Sequence, residues 1–186
     1  MELMHMENLI DLLLVDPSAT YRQFPKGHIL QYPGDVKARK YYVKKGLVRS
    51  YIIDSKGKEH IFMFAPEDWI IADIESLEYQ KPSTLFIDCL EDSELIVFAK
   101  DILSQKNVSK EMVMRYTDRL YRRMGALQRR VLMMMSVPAI DRYNYFLETY
   151  PELPERIPQR MIATYLGITP QALSTLRTKM AQSKLS

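Results

Sequence analysis

Near residue 100 the chain changes its period, and this limits what it can fold into. Up to Ala99 the apolar residues come in short β-branched and aromatic runs: His28–Tyr32, Tyr41–Val43, Leu47–Ile53, His60–Phe64, Leu85–Cys89 and Leu95–Phe98. Turn signals separate them at Pro25-Lys26-Gly27, Pro33-Gly34-Asp35, Lys45-Gly46 and Asp54-Ser55-Lys56-Gly57. This is the pattern of antiparallel strands joined by tight turns, with a jelly-roll-like barrel or sandwich as the natural solution. Asp54–Gly57 reads as a hairpin turn, because glycine tolerates the positive φ that such reversals need. Residues 2–15 read as a short amphipathic helix ahead of the strands.

From Glu111 to Met135 the spacing is helical. Apolar residues fall at Val113, Tyr116, Leu120, Met124, Leu127, Val131 and Met134, a near-heptad seam with one slip. Arg115, Arg119, Arg122, Arg123, Arg129 and Arg130 take the other faces. An apolar stripe on so long a helix needs a partner. That partner is either the chain's own β unit or, the preferred reading, the same helix of a second copy. Ser136-Val137-Pro138 interrupts the helix, since proline lacks an N–H and its ring disfavours continuation. This is a candidate hinge, and effector-driven changes are expected to travel through the long helix and this break. A helix from Ala139 to about Tyr150 follows, and Pro151, Pro154 and Pro158 mark the next stretch as loop.

Residues 159–178 carry the sharpest signal. Two helices crossing steeply over a short turn need a small residue where they touch, and Ala163 supplies it. Gly167, four residues on, suits a left-handed turn. Ile162, Leu166, Ile168, Leu173 and Leu176 provide a shared core. Thr169 can cap the second helix, and Pro170 suits its first position. A generic helical hairpin shares the apolar positions, but it needs no small residue, glycine, cap and proline in this register. The pattern is therefore a helix-turn-helix, whose second helix enters the major groove N-terminus first. Thr169 and Pro170 stand at its entrance. Gln171, Ser174, Thr175 and Thr178 face outward, with Gln171 suited to paired hydrogen bonds with adenine. Arg160, Arg177 and Lys179 are candidates for phosphate contacts.

Charge supports this reading. The chain carries +3 overall, yet from Lys110 onward 13 basic residues face 6 acidic ones, while the remainder has 13 basic and 17 acidic. A basic part joined to an acidic part fits a polyanion binder coupled to a unit with another task. There is no apolar run long enough to span a membrane and no signal-peptide pattern at the start. With Cys89 the single cysteine, a cytoplasmic location without membrane attachment is expected.

Taken in order, Tyr32-Pro33-Gly34-Asp35, Tyr41-Tyr42-Val43-Lys44-Lys45-Gly46-Leu47-Val48-Arg49, the hairpin through Gly57, Ala139-Ile140-Asp141-Arg142-Tyr143 and Ile162–Arg177 resemble the Crp–Fnr regulators. The likeness is closest to their short, Bacteroidetes-type members and covers about residues 20–180. It implies an α+β chain: a cyclic-nucleotide-binding-like antiparallel β-roll sensor over 1–108, a dimerisation helix over 109–136 and an all-α, winged-helix-like DNA-binding domain over 137–186. Its implied partners are double-stranded DNA, a second copy of the chain, a small-molecule effector of unknown identity and RNA polymerase. The effector pocket would involve Ile71, Ala72, Asp73, Ile74, Ser83 and Thr84.

Three departures sharpen these expectations. The family's phosphate cassette resembles Gly-Glu-Leu followed later by Arg-Ser/Thr-Ala, and the aligned residues here are Ala72-Asp73-Ile74 and Ser83-Thr84-Leu85. The glycine and the arginine are both gone, Lys81 lacks the fork geometry of arginine, and Asp68, Asp73, Glu75 and Glu78 make the segment acidic. The effector is therefore expected not to be cyclic AMP. Pro170 and Thr175 replace arginines on the recognition helix, so its DNA sequence should differ. The chain ends soon after Lys184, so the wing that follows the recognition helix is expected to be short or absent.

Other chemistries fit less well. One cysteine cannot hold an iron–sulfur cluster, and Cys89 reads as a buried, inert thiol. His5, His28 and His60 lack metal-site spacing, which counts against a cupin-like metal enzyme and leaves a haem ligand as a minor alternative. The Met133–Met135 run reads as seam or hinge packing, and Trp69 as core or pocket wall. With no catalytic constellation in the sequence, no enzyme activity and no metal site are expected. The remaining alternative is a ligand-binding β-roll that works through protein–protein contacts.

Overall fold

A computed structural model describes residues 19–98 and 109–183. The amphipathic segment 2–15 and the chain after Ser183, where a wing would begin, lie outside the described residues. Eight strands come first: β1 (Thr20–Phe24), β2 (Ile29–Gln31), β3 (Lys40–Lys45), β4 (Val48–Ile53), β5 (Glu59–Ala65), β6 (Ile70–Ile71), β7 (Phe86–Cys89) and β8 (Ser93–Phe98). A short helix, α1 (Ile74–Tyr79), lies between β6 and β7. The helical part comprises α2 (Lys110–Ser136), α3 (Ala139–Thr149), α4 (Leu153–Arg156), α5 (Gln159–Leu166) and α6 (Pro170–Ser183). The fold class is α+β.

The strands form two four-stranded sheets, ordered β1-β8-β3-β6 and β2-β7-β4-β5. Their registers are antiparallel, with Tyr41 opposite Val97 and Val43 opposite Leu95 in one, and Val48 opposite Cys89 and Ser50 opposite Ile87 in the other. Alternation along each strand sends Tyr41, Val43, Val48, Ile87, Cys89, Leu95 and Val97 into one core, which Ala65 and Ile71 complete. Trp69 packs against this cluster. Each fully buried aliphatic side chain there is worth about 2 kcal/mol.

The turns follow the glycine signals. Gly57 has φ +77, and its N–H bonds back to Asp54 O, while Asp54 Oδ1 accepts from the N–H groups of Lys56 and Lys58. Gly46 has a second reason to be glycine. At φ +96, a Cβ there would fall 2.5 Å from Ser93 Oγ and 2.7 Å from Asp92 O.

Several elements differ from the sequence expectation. β1, β6 and α1 are additions. β1 is exposed along most of its length and so lacks an apolar run, and β6 has only two residues. The stretch read as loop after Pro151 contains α4, because Pro154 occupies the first turn of a helix, where no N–H is needed. The break expected at Ser136–Pro138 is present: Pro138 stands at the N-cap of α3 with an extended ψ of 150, and α3 begins at Ala139 as the sequence indicated.

By their contacts the residues form two compact units. One lies within Met1–Ile53 and Phe62–Tyr116, the other within Asp54–Ile61 and Thr117–Ser186. The strands of the β4–β5 hairpin are paired in the second sheet, whereas its tip groups with the helices.

Candidate nucleic-acid interface and effector segment

The helix-turn-helix is built from α5 and α6. Ile162, Ala163 and Leu166 are buried on α5, and Leu173 is 0% exposed on α6. Ala163 is the small residue that lets the helices approach. Gly167 adopts φ 68, ψ 32, in the left-handed region, and the Ile168 N–H reaches Ala163 O at 3.0 Å. That six-to-one bond closes α5 in a Schellman arrangement and satisfies an orphan carbonyl. Thr169 Oγ1 accepts from the Ala172 N–H at 3.1 Å, a cap worth about 1 kcal/mol. Pro170 is the first residue of α6.

This geometry leaves one face of α6 open. Thr169, Pro170, Gln171, Ser174, Thr175, Thr178 and Lys179 are exposed, as is Arg160 on α5, and Arg177 is half-buried. The outward positions expected from sequence therefore gather on one surface. Thr178 is partly committed, since its hydroxyl donates to Ser174 O at 3.1 Å. Leu176 and Ile168, expected in the shared core, are only half-buried.

Behind this motif lies an aromatic cluster that sequence reasoning missed. Tyr143, Phe146 and Tyr150 on and after α3 are buried, and Tyr165 of α5 packs 5.5 Å from Phe146 and 5.8 Å from Tyr150. The three-and-four spacing of 143, 146 and 150 was the available signal. Burial pushes the Tyr165 hydroxyl up, against the opposing charge of Arg130, whose guanidinium sits 3.7 Å from the ring centre.

On α2, Val113, Leu120, Met124, Leu127, Val131 and Met134 are exposed by 37–58%. Tyr121, Leu132 and Met135 are exposed as well. The side chain of Tyr116 lies outside the described residues.

The effector segment runs from β6 through α1 to β7. Ile71 is buried, Ala72 half-buried, Ile74 50% exposed and Thr84 exposed. Asp73 is 4% exposed and is the N-cap of α1. Its Oδ1 accepts from the Ser76 N–H at 3.1 Å, and its Oδ2 accepts from Ser83 Oγ at 2.9 Å and the Thr84 N–H at 3.1 Å. Burial pushes this carboxyl up, but those donors outweigh burial and hold it below the usual carboxylate range. Gln31 Nε2 completes the network with bonds to Ser83 Oγ and Leu85 O. Gln31 was not foreseen, because its partners lie more than fifty residues away. Lys81 pairs with Glu75 on the surface at 2.9 Å. Among the described residues, no group of three or more His, Cys, Asp or Glu side chains is placed to hold a metal, and no helix is long and apolar enough to cross a membrane.

Residues 21–106 match the family of cyclic nucleotide-binding domains. The chain has the Crp–Fnr fold. It is similar to FixK2 from Bradyrhizobium japonicum, with a TM-score of 0.72 and 18% identity over 89% of this chain and 86% of that one. A transcriptional regulator of the CRP/FNR family from Thermus thermophilus gives 0.64 and 18% over 88% and 87%. The c-di-GMP-responsive global regulator CLP of Xanthomonas campestris gives 0.69 and 16% over 95% and 92%. A comparison with characterised protein sequences found no match. The Crp–Fnr architecture accounts for the two-sheet roll, the long α2 and the α5–α6 pair in that order.

Proposed function

We propose that this chain is a dimeric, DNA-binding transcription regulator without enzymatic activity. In this reading it acts in the cytoplasm and is governed by a β-roll that takes an effector other than cyclic AMP. The observation that carries the reading is the α5–turn–α6 motif. Its small residue, left-handed glycine and threonine cap hold Gln171, Ser174 and Thr175 on an open face. Gln171 reads an adenine edge, Ser174 and Thr175 serve bases or phosphate, and Arg160, Arg177 and Lys179 bind phosphates.

The second copy is supported by α2. With d positions at Val113, Leu120 and Leu127 and a positions at Met124 and Val131, the stripe keeps a heptad spacing, with Tyr116 at g as its one slip. Met114, Tyr121 and Met135 then fall at e and widen the apolar face, which agrees with their exposure in a single chain. Pairing through α2 presents two recognition helices to a two-fold symmetric site.

Against cyclic AMP stands Asp73. An incoming phosphate would meet a buried carboxylate that already takes the local donors, and Ser83 stands where an arginine fork would be needed. The present residues do not fit a cyclic phosphate. The β-roll supplies no cysteine set for an iron–sulfur cluster, and RNA polymerase is the proposed partner at the promoter.

The test is selection of binding sites from a random DNA library by the full-length protein, followed by the Gln171→Ala/Thr175→Ala variant. The wild type should select a palindromic site with half-sites about 34 Å apart. The variant should lose about 2–6 kcal/mol of base discrimination while remaining folded. No selected sequence at any salt concentration would overturn the reading. A variant that keeps full biological activity would point instead to a module acting through protein contacts.

A further inference from the structure

Arg130 stands where three elements meet. It lies toward the C-terminal end of α2. Its Nη2 donates to Ile61 O of β5 at 3.1 Å, and its guanidinium lies 3.7 Å from the centre of the Tyr165 ring on α5. Tyr165 is 7% exposed and held by Phe146 and Tyr150. Ile61 closes the hairpin-tip segment Asp54–Ile61, which by its contacts groups with the helices rather than with the other strands.

The chemistry of arginine fits this place and that of lysine does not. A guanidinium presents a flat face to an aromatic ring while its edge still donates to a carbonyl. An ammonium group is a compact point charge and cannot offer both a stacking face and an in-plane donor. One turn further along α2, Met134 is pressed against the helix-turn-helix itself, since a Cβ on Gly167 would fall 2.9 Å from Met134 Cε. The end of α2 is therefore seated on α5 and on the turn that launches α6.

We propose that Arg130 is a positioning residue for the recognition helix, tying the tip of the β4–β5 hairpin to Tyr165 so that hairpin displacement changes how Gln171, Ser174 and Thr175 are presented. The proposal rests on the DNA-binding reading above. It adds a route distinct from the Ser136–Pro138 break to which the sequence pointed. Tyr165 lies two residues before Gly167, so a shift of its ring moves the left-handed turn and the start of α6 together. The hairpin tip is an independently formed turn, locked by Asp54 to the Lys56 and Lys58 N–H groups and by His60 Nε2 at 2.8 Å from Asp54 Oδ2. Coupling of this kind needs two arrangements that differ in free energy, and loss of the Arg130 contacts supplies that difference.

The experiment compares full-length wild type with Arg130→Lys, Tyr165→Phe and Tyr165→Leu. Two readouts are taken: amide hydrogen exchange, and affinity for the site selected by the wild type. Arg130→Lys should speed exchange both at Ile61–Met63 and at Ile162–Leu166, leave the β1–β8 ladder unchanged, and weaken site binding about fivefold or more. Tyr165→Phe keeps the ring face but loses the hydroxyl's hydrogen bonds to Tyr150 and Arg130, so its effect should be in the same direction as Arg130→Lys and smaller. Tyr165→Leu should behave like Arg130→Lys, which covers the case in which one variant folds poorly. Faster exchange confined to β5, or site affinity unchanged in Arg130→Lys, would overturn the proposal. A wild type that binds no DNA sinks the functional reading instead, and the exchange data still decide whether hairpin and α5 are joined through Arg130.

Discussion

Cys89 is 1% exposed on β7, and burial pushes its thiol from 9.0 up to about 11, helped by the Asp88 charge and opposed by Ser93. At pH 8 only about one molecule in a thousand then carries the reactive thiolate. The expected outcome with a thiol-specific reagent at pH 8 is slow labelling that tracks unfolding, with fast stoichiometric labelling in denaturant. Because the unfolded thiol ionises first, native stability should also fall as pH rises from 9 toward 11. Rapid labelling of the folded protein would contradict the burial. The apolar strand pattern around Cys89 already showed this in the sequence. Asp73 is the opposite case. Its sequence neighbourhood read as an acidic stretch of the effector pocket, and its carboxylate is buried among Ser76, Ser83 and Thr84. Chain neighbours show charge, but the donors that neutralise it are set by tertiary contacts.

At the scale of elements, legibility followed length and period. The long helix was placed within one residue of its observed ends, because its period persists over many turns. The α5–α6 motif was readable because Ala163, Gly167, Thr169 and Pro170 each have a local backbone reason. The two-residue β6 and the single-turn α4 carry no such period, and the Arg130–Tyr165 contact joins elements that no local pattern links. The seam on α2 is the element whose partner matters most. Leu120 and Leu127, both at d, are 47% and 45% exposed in the single chain. Leu120→Asp with Leu127→Asp would place four carboxylates in the proposed dimer seam, where like charges repel and burial is costly. Sedimentation should then give the monomer mass, and site affinity should drop on the order of a hundredfold as the two half-sites lose their linkage. A dimer that survives both changes would place the seam elsewhere.

For the whole molecule, the separation of charge between the two parts of the chain sets the physics of DNA binding. The acidic strand-rich part and the basic part from Lys110 onward oppose each other, so long-range attraction to DNA acts mainly on the second. If Arg160, Arg177 and Lys179 each neutralise one phosphate per protomer, a bound dimer releases six counterions. The slope of log K against log salt concentration should then lie near about −5. Lys179→Ala removes one contact from each half-site, so the slope should shrink by about 2 units, with the preferred sequence unchanged. Gln171→Ala should do the reverse, relaxing the sequence preference while keeping the slope. The monomeric double variant at Leu120 and Leu127 provides the internal check, because one protomer on one half-site should show about half the wild-type slope. A wild-type slope near zero would mean that the basic face never meets phosphate. The same slope for monomer and dimer would mean that only one recognition helix is engaged at a time.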